Sequence, residues 1–119
     1  RLTGSIVINR FGPIVVEPGL NITIFELESH SFNTFSLATL VSPNISNVSF
    51  NWGATPSRGN YSTSVGLFGN RDLPLQSAGS SYEQYTEDIK LFGEYFRVRV
   101  KNDKSDSIEL RQIEVRRKK

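Results

Sequence analysis

Glu94-Tyr95-Phe96-Arg97-Val98-Arg99-Val100-Lys101-Asn102 alternates apolar and polar side chains with a period of two. Phe96, Val98 and Val100 share one face, while Tyr95, Arg97, Arg99 and Lys101 share the other, as a half-buried β-strand requires. Beyond it the apolar positions are Ile108 and Leu110, then Ile113 and Val115. That one-residue slip would turn the second pair outward unless a β-bulge near Arg111-Gln112 absorbs it. Setting Val100 opposite Ile108 gives a hairpin with the tip Asp103-Lys104-Ser105. It also sets Arg99 against Glu109, a cross-strand pair worth about 0.2–1 kcal/mol.

Upstream, short runs of strand-forming residues are separated by Gly, Pro, Asn and Ser clusters. The pattern predicts strands over 3–10, 14–17, 20–28, 35–41, 48–52, 62–68, 81–89, 94–102 and 107–117. Eight or nine strands at this spacing read as an all-β, jelly-roll-like antiparallel β-sandwich. Leu20, Ile22 and Ile24 give way to Phe25 and Leu27, which predicts a second bulge or a strand crossing between sheets. The only short helix with any signal covers 83–91. Residues 53–80, rich in Gly, Ser, Asn and Pro, read as two long loops around a short strand.

A chain of 119 residues with 37% hydrophobic content has the size of one domain with one core. It contains no cysteine, which removes disulfides, thiolate nucleophiles and cysteine-ligated metals. Methionine is also absent, so the chain reads as a trimmed or processed form. No run approaches the roughly 20 apolar residues of a membrane-spanning helix, so no membrane span is expected. The net charge is +2, and the excess is concentrated in Arg116-Arg117-Lys118-Lys119. That end reads as a frayed, solubilising tail, and no basic face signals nucleic acid.

Catalytic signals are thin. His30, the single histidine, lies between Ser29 and Ser31 with no Gly-x-Ser-x-Gly elbow, so it reads as a surface or turn residue. The segment 102–107 lacks the sixth-position glycine and terminal glutamate of a calcium loop and reads as a hairpin tip. Glu83 with Glu87 or Asp88 are the carboxylates open to a glycosidase, against a solvated strand edge. No cofactor or metal is expected. Trp52, Tyr61, Tyr82 and Tyr85 could form an aromatic platform for sugar rings, with Asn51, Asn60 and Arg58 nearby. Against this, Phe50 and Trp52 share a strand face and can simply fill the core. Four Asn-x-Ser/Thr sequons, at Asn21, Asn44, Asn47 and Asn60, mark surface positions only if the chain is secreted from a eukaryotic cell.

The N-terminal stretch Ser5-Ile6-Val7-Ile8-Asn9 ends at Phe11-Gly12-Pro13, and Ile14-Val15-Val16 then stands apolar on both faces before Glu17-Pro18-Gly19. Such a segment must be buried on both sides or paired with another chain. Residues 1–12 therefore read either as an ordinary first strand or as an arm attached to a sandwich domain over 13–119. In the second case the arm is a donor strand for a neighbour's sheet edge, with Leu2, Ile6, Val7, Ile8 and Phe11 as subunit contacts. A contact in which each subunit gives and receives propagates into a helical polymer or fibre.

An apolar N-terminal arm, a cysteine-free jelly-roll body and the closing stretch 94–102 together resemble the small spore-surface and endospore-appendage sandwich proteins of Firmicutes. That resemblance implies a non-enzymatic structural subunit of an extracellular fibre or surface appendage, built by N-terminal strand exchange on a cell or spore surface. Several appendage subunits carry cross-linking N-terminal cysteines, and none exists here, so a fibre would be held by pairing and packing alone. Phage tail modules look similar. The competing expectation is a carbohydrate-binding module that engages a surface glycan through Trp52 and the tyrosines.

Overall fold

The computed structural model describes residues 5–42, 48–55, 71–77 and 83–119. These form β1 (Ile6–Phe11), β2 (Ile14–Val16), β3 (Asn21–Glu28), β4 (Thr34–Ser42), β5 (Val48–Thr55), β6 (Arg71–Asp72), β7 (Gln76–Ser77), β8 (Glu83–Tyr85), β9 (Ile89–Lys90), β10 (Tyr95–Asn102) and β11 (Ile108–Lys118). One sheet runs β1-β11-β4-β8-β7, with β2 also on β11 and β9 on β4; the other runs β3-β10-β5-β6. All pairings are antiparallel. Strand β2 pairs with β11, β3 with β10, β4 with β8 and β5 with β6. The chain is thus one long hairpin rolled up into two layers, the jelly roll that the strand spacing predicts.

The predicted closing hairpin is corrected. Strands β10 and β11 are consecutive, yet they lie in opposite sheets. The reason is burial: Phe96, Val98 and Val100 are fully buried, as are Ile108, Leu110, Ile113 and Val115, so the two apolar rows face each other across the core. The turn becomes an arch held by Asn102, which is fully buried. Its Nδ2 donates to the Val16 and Asp106 carbonyls, and its Oδ1 accepts from the Lys104 N–H, all at 2.9 Å. Arg99 consequently stands beside Thr23 and Asn51, not Glu109, and donates to the Asn21 carbonyl.

Both phase changes read from the sequence are bulges. The β11–β4 register shifts between Leu110 and Gln112, leaving Arg111 as the extra residue. The β10–β3 register passes from Val98–Phe25 to Arg99–Thr23, leaving Ile24 extra. Along the other edge of β11 the break falls at Gly12-Pro13, a cis peptide. A side chain at Gly12, with φ at +115°, would lie 3.0 Å from the Arg111 carbonyl oxygen. Only glycine suits that backbone and that approach.

The core is an aromatic chain clad in aliphatics. The Phe25 ring meets Phe96 edge-on at 5.8 Å, Phe96 lies 4.6 Å from Phe35, and Phe35 meets Trp52 at 5.3 Å. Each large side chain so buried contributes about 1.5–3 kcal/mol. Two further expectations change. The strand expected over 81–89 is divided into β8 and β9 by a break at 86–88, and the weak helical signal over 83–91 is not followed. Arg116, Arg117 and Lys118 do not fray but continue β11. The strand expected over 62–68 lies outside the described residues.

Candidate functional site

The edge formed by β1 and β2 is set by β11, against which both lie in succession. Strand β1 pairs from Ile6–Lys118 to Phe11–Ile113, and β2 pairs from Ile14–Leu110 to Val16–Ile108. Alternation then sorts the side chains. Val7, Asn9 and Phe11 share the inward face with Arg117, Val115 and Ile113, whereas Ile6, Ile8 and Arg10 share the outward face. The described residues expose six large hydrophobics, and four of them are on this edge: Ile6 (57%), Val7 (37%), Ile8 (41%) and Val15 (54%).

Four contacts seat β1. Phe11 stacks flat on Phe25, with ring centroids 5.0 Å apart. Arg10 Nε lies 3.2 Å from Glu114 Oε1. Asn9 Oδ1 accepts from Arg117 Nη2 at 2.9 Å, and Ser5 accepts through its carbonyl from the Lys119 N–H at 3.0 Å. None of Ile6, Val7 or Ile8 belongs to the core, whose first buried member in the chain is Val16.

Arg117 is the anchor that motif searching overlooks. It is 8% exposed, donates from Nη1 to the Glu28 carbonyl at 2.9 Å, and holds Cζ 4.6 Å from the Phe32 ring centroid. It therefore ties β1, the end of β3 and the β3–β4 turn together. Burial pushes its guanidinium below the ordinary arginine value, and the Glu28 carboxylate works in the opposite direction. The period-two continuation Ile113, Val115, Arg117 already places it inward. In the same way, Asn102 continues Phe96, Val98 and Val100.

The remaining sequence candidates separate. Trp52 is 4% exposed and lies among Phe35 and Phe92, so it fills the core and offers no platform to a sugar. Tyr85 is half-buried on the outer face of β8, where its O–H donates to Gln76 Oε1 at 3.4 Å. Leu2, Tyr61, Tyr82, Arg58 and Asn60 lie outside the described residues. His30 Nδ1 sits 3.0 Å from Glu94 Oε2 and 3.6 Å from Glu28 Oε1 on the surface. Asp88 is taken by Lys118 Nζ at 3.0 Å. Among the described residues no group of three or more His, Asp or Glu is placed to hold a metal, and no helix is long and apolar enough to cross a membrane.

No family model matches this sequence. No curated protein matches it. Among solved structures it is similar to the VP2 subviral particle of infectious bursal disease virus, with a TM-score of 0.57 and 8% identity over 96% of this chain and 32% of that one. It is also similar to the structure of the Gx strain of the same virus, with a TM-score of 0.53 and 11% identity over 98% of this chain and 36% of that one. The chain spans about a third of the length of these two viral chains. At such identity the likeness establishes the fold.

Proposed function

We propose that this chain is a non-enzymatic structural subunit that self-assembles by exchanging its N-terminal strand. The observation that carries the proposal is β1 itself, which touches the core only through Phe11 yet displays Ile6, Val7 and Ile8 on a free edge. Natural edge strands are blunted by charges, bulges or prolines. The free edge of β3 has such guards, with Glu26 and Glu28 on its outer face and the Ile24 bulge in its middle. From Ile6 to Asn9, β1 carries no charge, no proline and no bulge.

In this reading the acceptor is the slot that β1 fills within its own chain. A strand that fits β11 at residues 113–118 through Asn9–Arg117, Arg10–Glu114 and Phe11–Phe25 fits the same slot on an identical neighbour. Exchange between chains conserves these contacts, and Gly12-Pro13 is the junction at which the strand leaves the body. Repeated head to tail, the exchange builds a fibre. The setting that goes with it is extracellular, on a cell or spore surface, as the resemblance to endospore-appendage subunits implies. Occurrence of the same fold in a subviral particle supports a building-block role.

The test compares the full chain with one lacking residues 1–12, by negative-stain electron microscopy and light scattering. Filaments or concentration-dependent oligomers are expected from the full chain and monomers from the truncation. A peptide of residues 1–12 should bind the truncated body. A full chain that stays monomeric at high micromolar concentration refutes the proposal.

A further inference from the structure

The outer face of the larger sheet carries a depression across β8, β4 and β11, one strand in from β1. Its floor is Ala38, exposed on β4, with Leu40 beside it. Tyr85 and Glu83 of β8 wall one side, and Gln112 and Glu114 of β11 wall the other. The register explains the hollow. Tyr85 and Glu114 both lie opposite Ala38, so one small residue separates two large neighbours. A second depression continues past Ser36 to Arg116 and shares Ala38, Tyr85 and Glu114 with the first. Each has a volume of about 200 Å³.

The lining chemistry selects the occupant. Glu114 is neutralised by Arg10 at 3.2 Å and Arg116 at 3.0 Å, so the hollow does not concentrate one sign of charge and has no pull on an ionic polymer. What remains are hydroxyl-binding groups, the Glu83 carboxylate and the Gln112 amide, around a half-exposed aromatic ring and an apolar floor. Aromatic faces take up C–H surfaces, and carboxylate and amide oxygens accept from hydroxyls. We infer that this groove binds a neutral mono- or disaccharide, its ring against Tyr85 and its hydroxyls on Glu83 and Gln112. Arg10 reaches Glu114 from β1, and an exchanged strand would supply the same contact, so the groove holds with or without exchange; it keeps Tyr85 while dispensing with Trp52.

The experiment is an amide-resolved NMR titration of the full chain with glucose, N-acetylglucosamine, cellobiose and chitobiose at millimolar concentration. Saturable shifts are expected at Ala38, Leu40, Tyr85 and Gln112 with at least one sugar. Tyr85→Ala should weaken that binding about 2- to 12-fold. Ala38→Phe, which fills the open floor without entering the core, should abolish it while the rest of the spectrum is retained. Absence of saturable shifts with all four sugars overturns the inference, as does unchanged affinity in Ala38→Phe. Displacement of the sugar by the residue 1–12 peptide would instead show a groove built for polypeptide, and would overturn it equally.

Discussion

Phe11→Ala tests whether β1 can leave its seat while the sandwich stays folded. Truncating a fully buried phenylalanine costs about 3–5 kcal/mol. Phe11 is only partly buried, so about half of that applies, and the flat stack on Phe25 adds about 0.5–1.5 kcal/mol. The sum is about 2–4 kcal/mol, drawn from the contact between β1 and the body. If β1 opens as a unit, hydrogen exchange at its bonded amides should accelerate about 30- to 700-fold, since each 1.4 kcal/mol is about tenfold. The amides of β10 around Val98 and Val100 should keep the protection set by global unfolding. Native-state exchange followed by NMR measures both sets at once. Equal acceleration in β1 and β10 would show that the strand opens only when the whole sandwich does, and the proposed exchange would lose its first step. An exchanged strand loses the Phe11 contact at home and regains the same contact in its neighbour. The variant should therefore polymerise faster with little change in the final extent.

Asn102→Ala removes three hydrogen bonds at 2.9 Å from a fully buried side chain and should cost about 2–4 kcal/mol; a shift under about 1 kcal/mol in urea unfolding would discount the arch. Trp52→Ala should cost about 3–5 kcal/mol by the same measurement, and a folded variant of near wild-type stability would remove Trp52 from the core. Gly93→Ala and Gly19→Ala form a matched pair, because both glycines have φ at +79°. A side chain at Gly93 meets the Thr55 carbonyl oxygen at 2.9 Å, whereas at Gly19 nothing lies within 4 Å. Gly19→Ala should cost about 1–2 kcal/mol from backbone conformation alone, and Gly93→Ala distinctly more; equal losses would refute the close-contact argument.

Alternation of side chains carried most of the fold, because a period of two survives whichever strand is the neighbour. It identified the inward rows of β10 and β11, the bulge beside Arg111, and the irregularity at Ile24. It could not say whether β10 and β11 lie side by side or face to face. Both arrangements bury Val100 and Ile108, and the difference resides in Asn102, whose bonds reach back to Val16, far away in the chain. The basic end misled for a related reason. Four consecutive cations read as a solvated tail, but Arg117 falls on the inward phase of β11 and finds Glu28, Asn9 and Phe32 at the rim of the sandwich. In sequence Tyr85 reads with Trp52, Tyr61 and Tyr82 as one aromatic platform. The strands separate Tyr85 from Trp52, since Trp52 points into the core from one sheet while Tyr85 stands on the outer face of the other.

The hydrogen bond from the Lys119 N–H to the Ser5 carbonyl places the two ends of the described chain side by side. Whether β1 precedes β2 or follows β11 is then a matter of where the backbone is cut, because a tether of a few residues could join Lys119 to Ser5. Such a circularised chain would hold β1 at the millimolar effective concentration of a short linker, over and above its link through Gly12. A neighbour's strand would have to displace a segment tied at both ends, so the proposed exchange would be closed off without any change in the residues that touch.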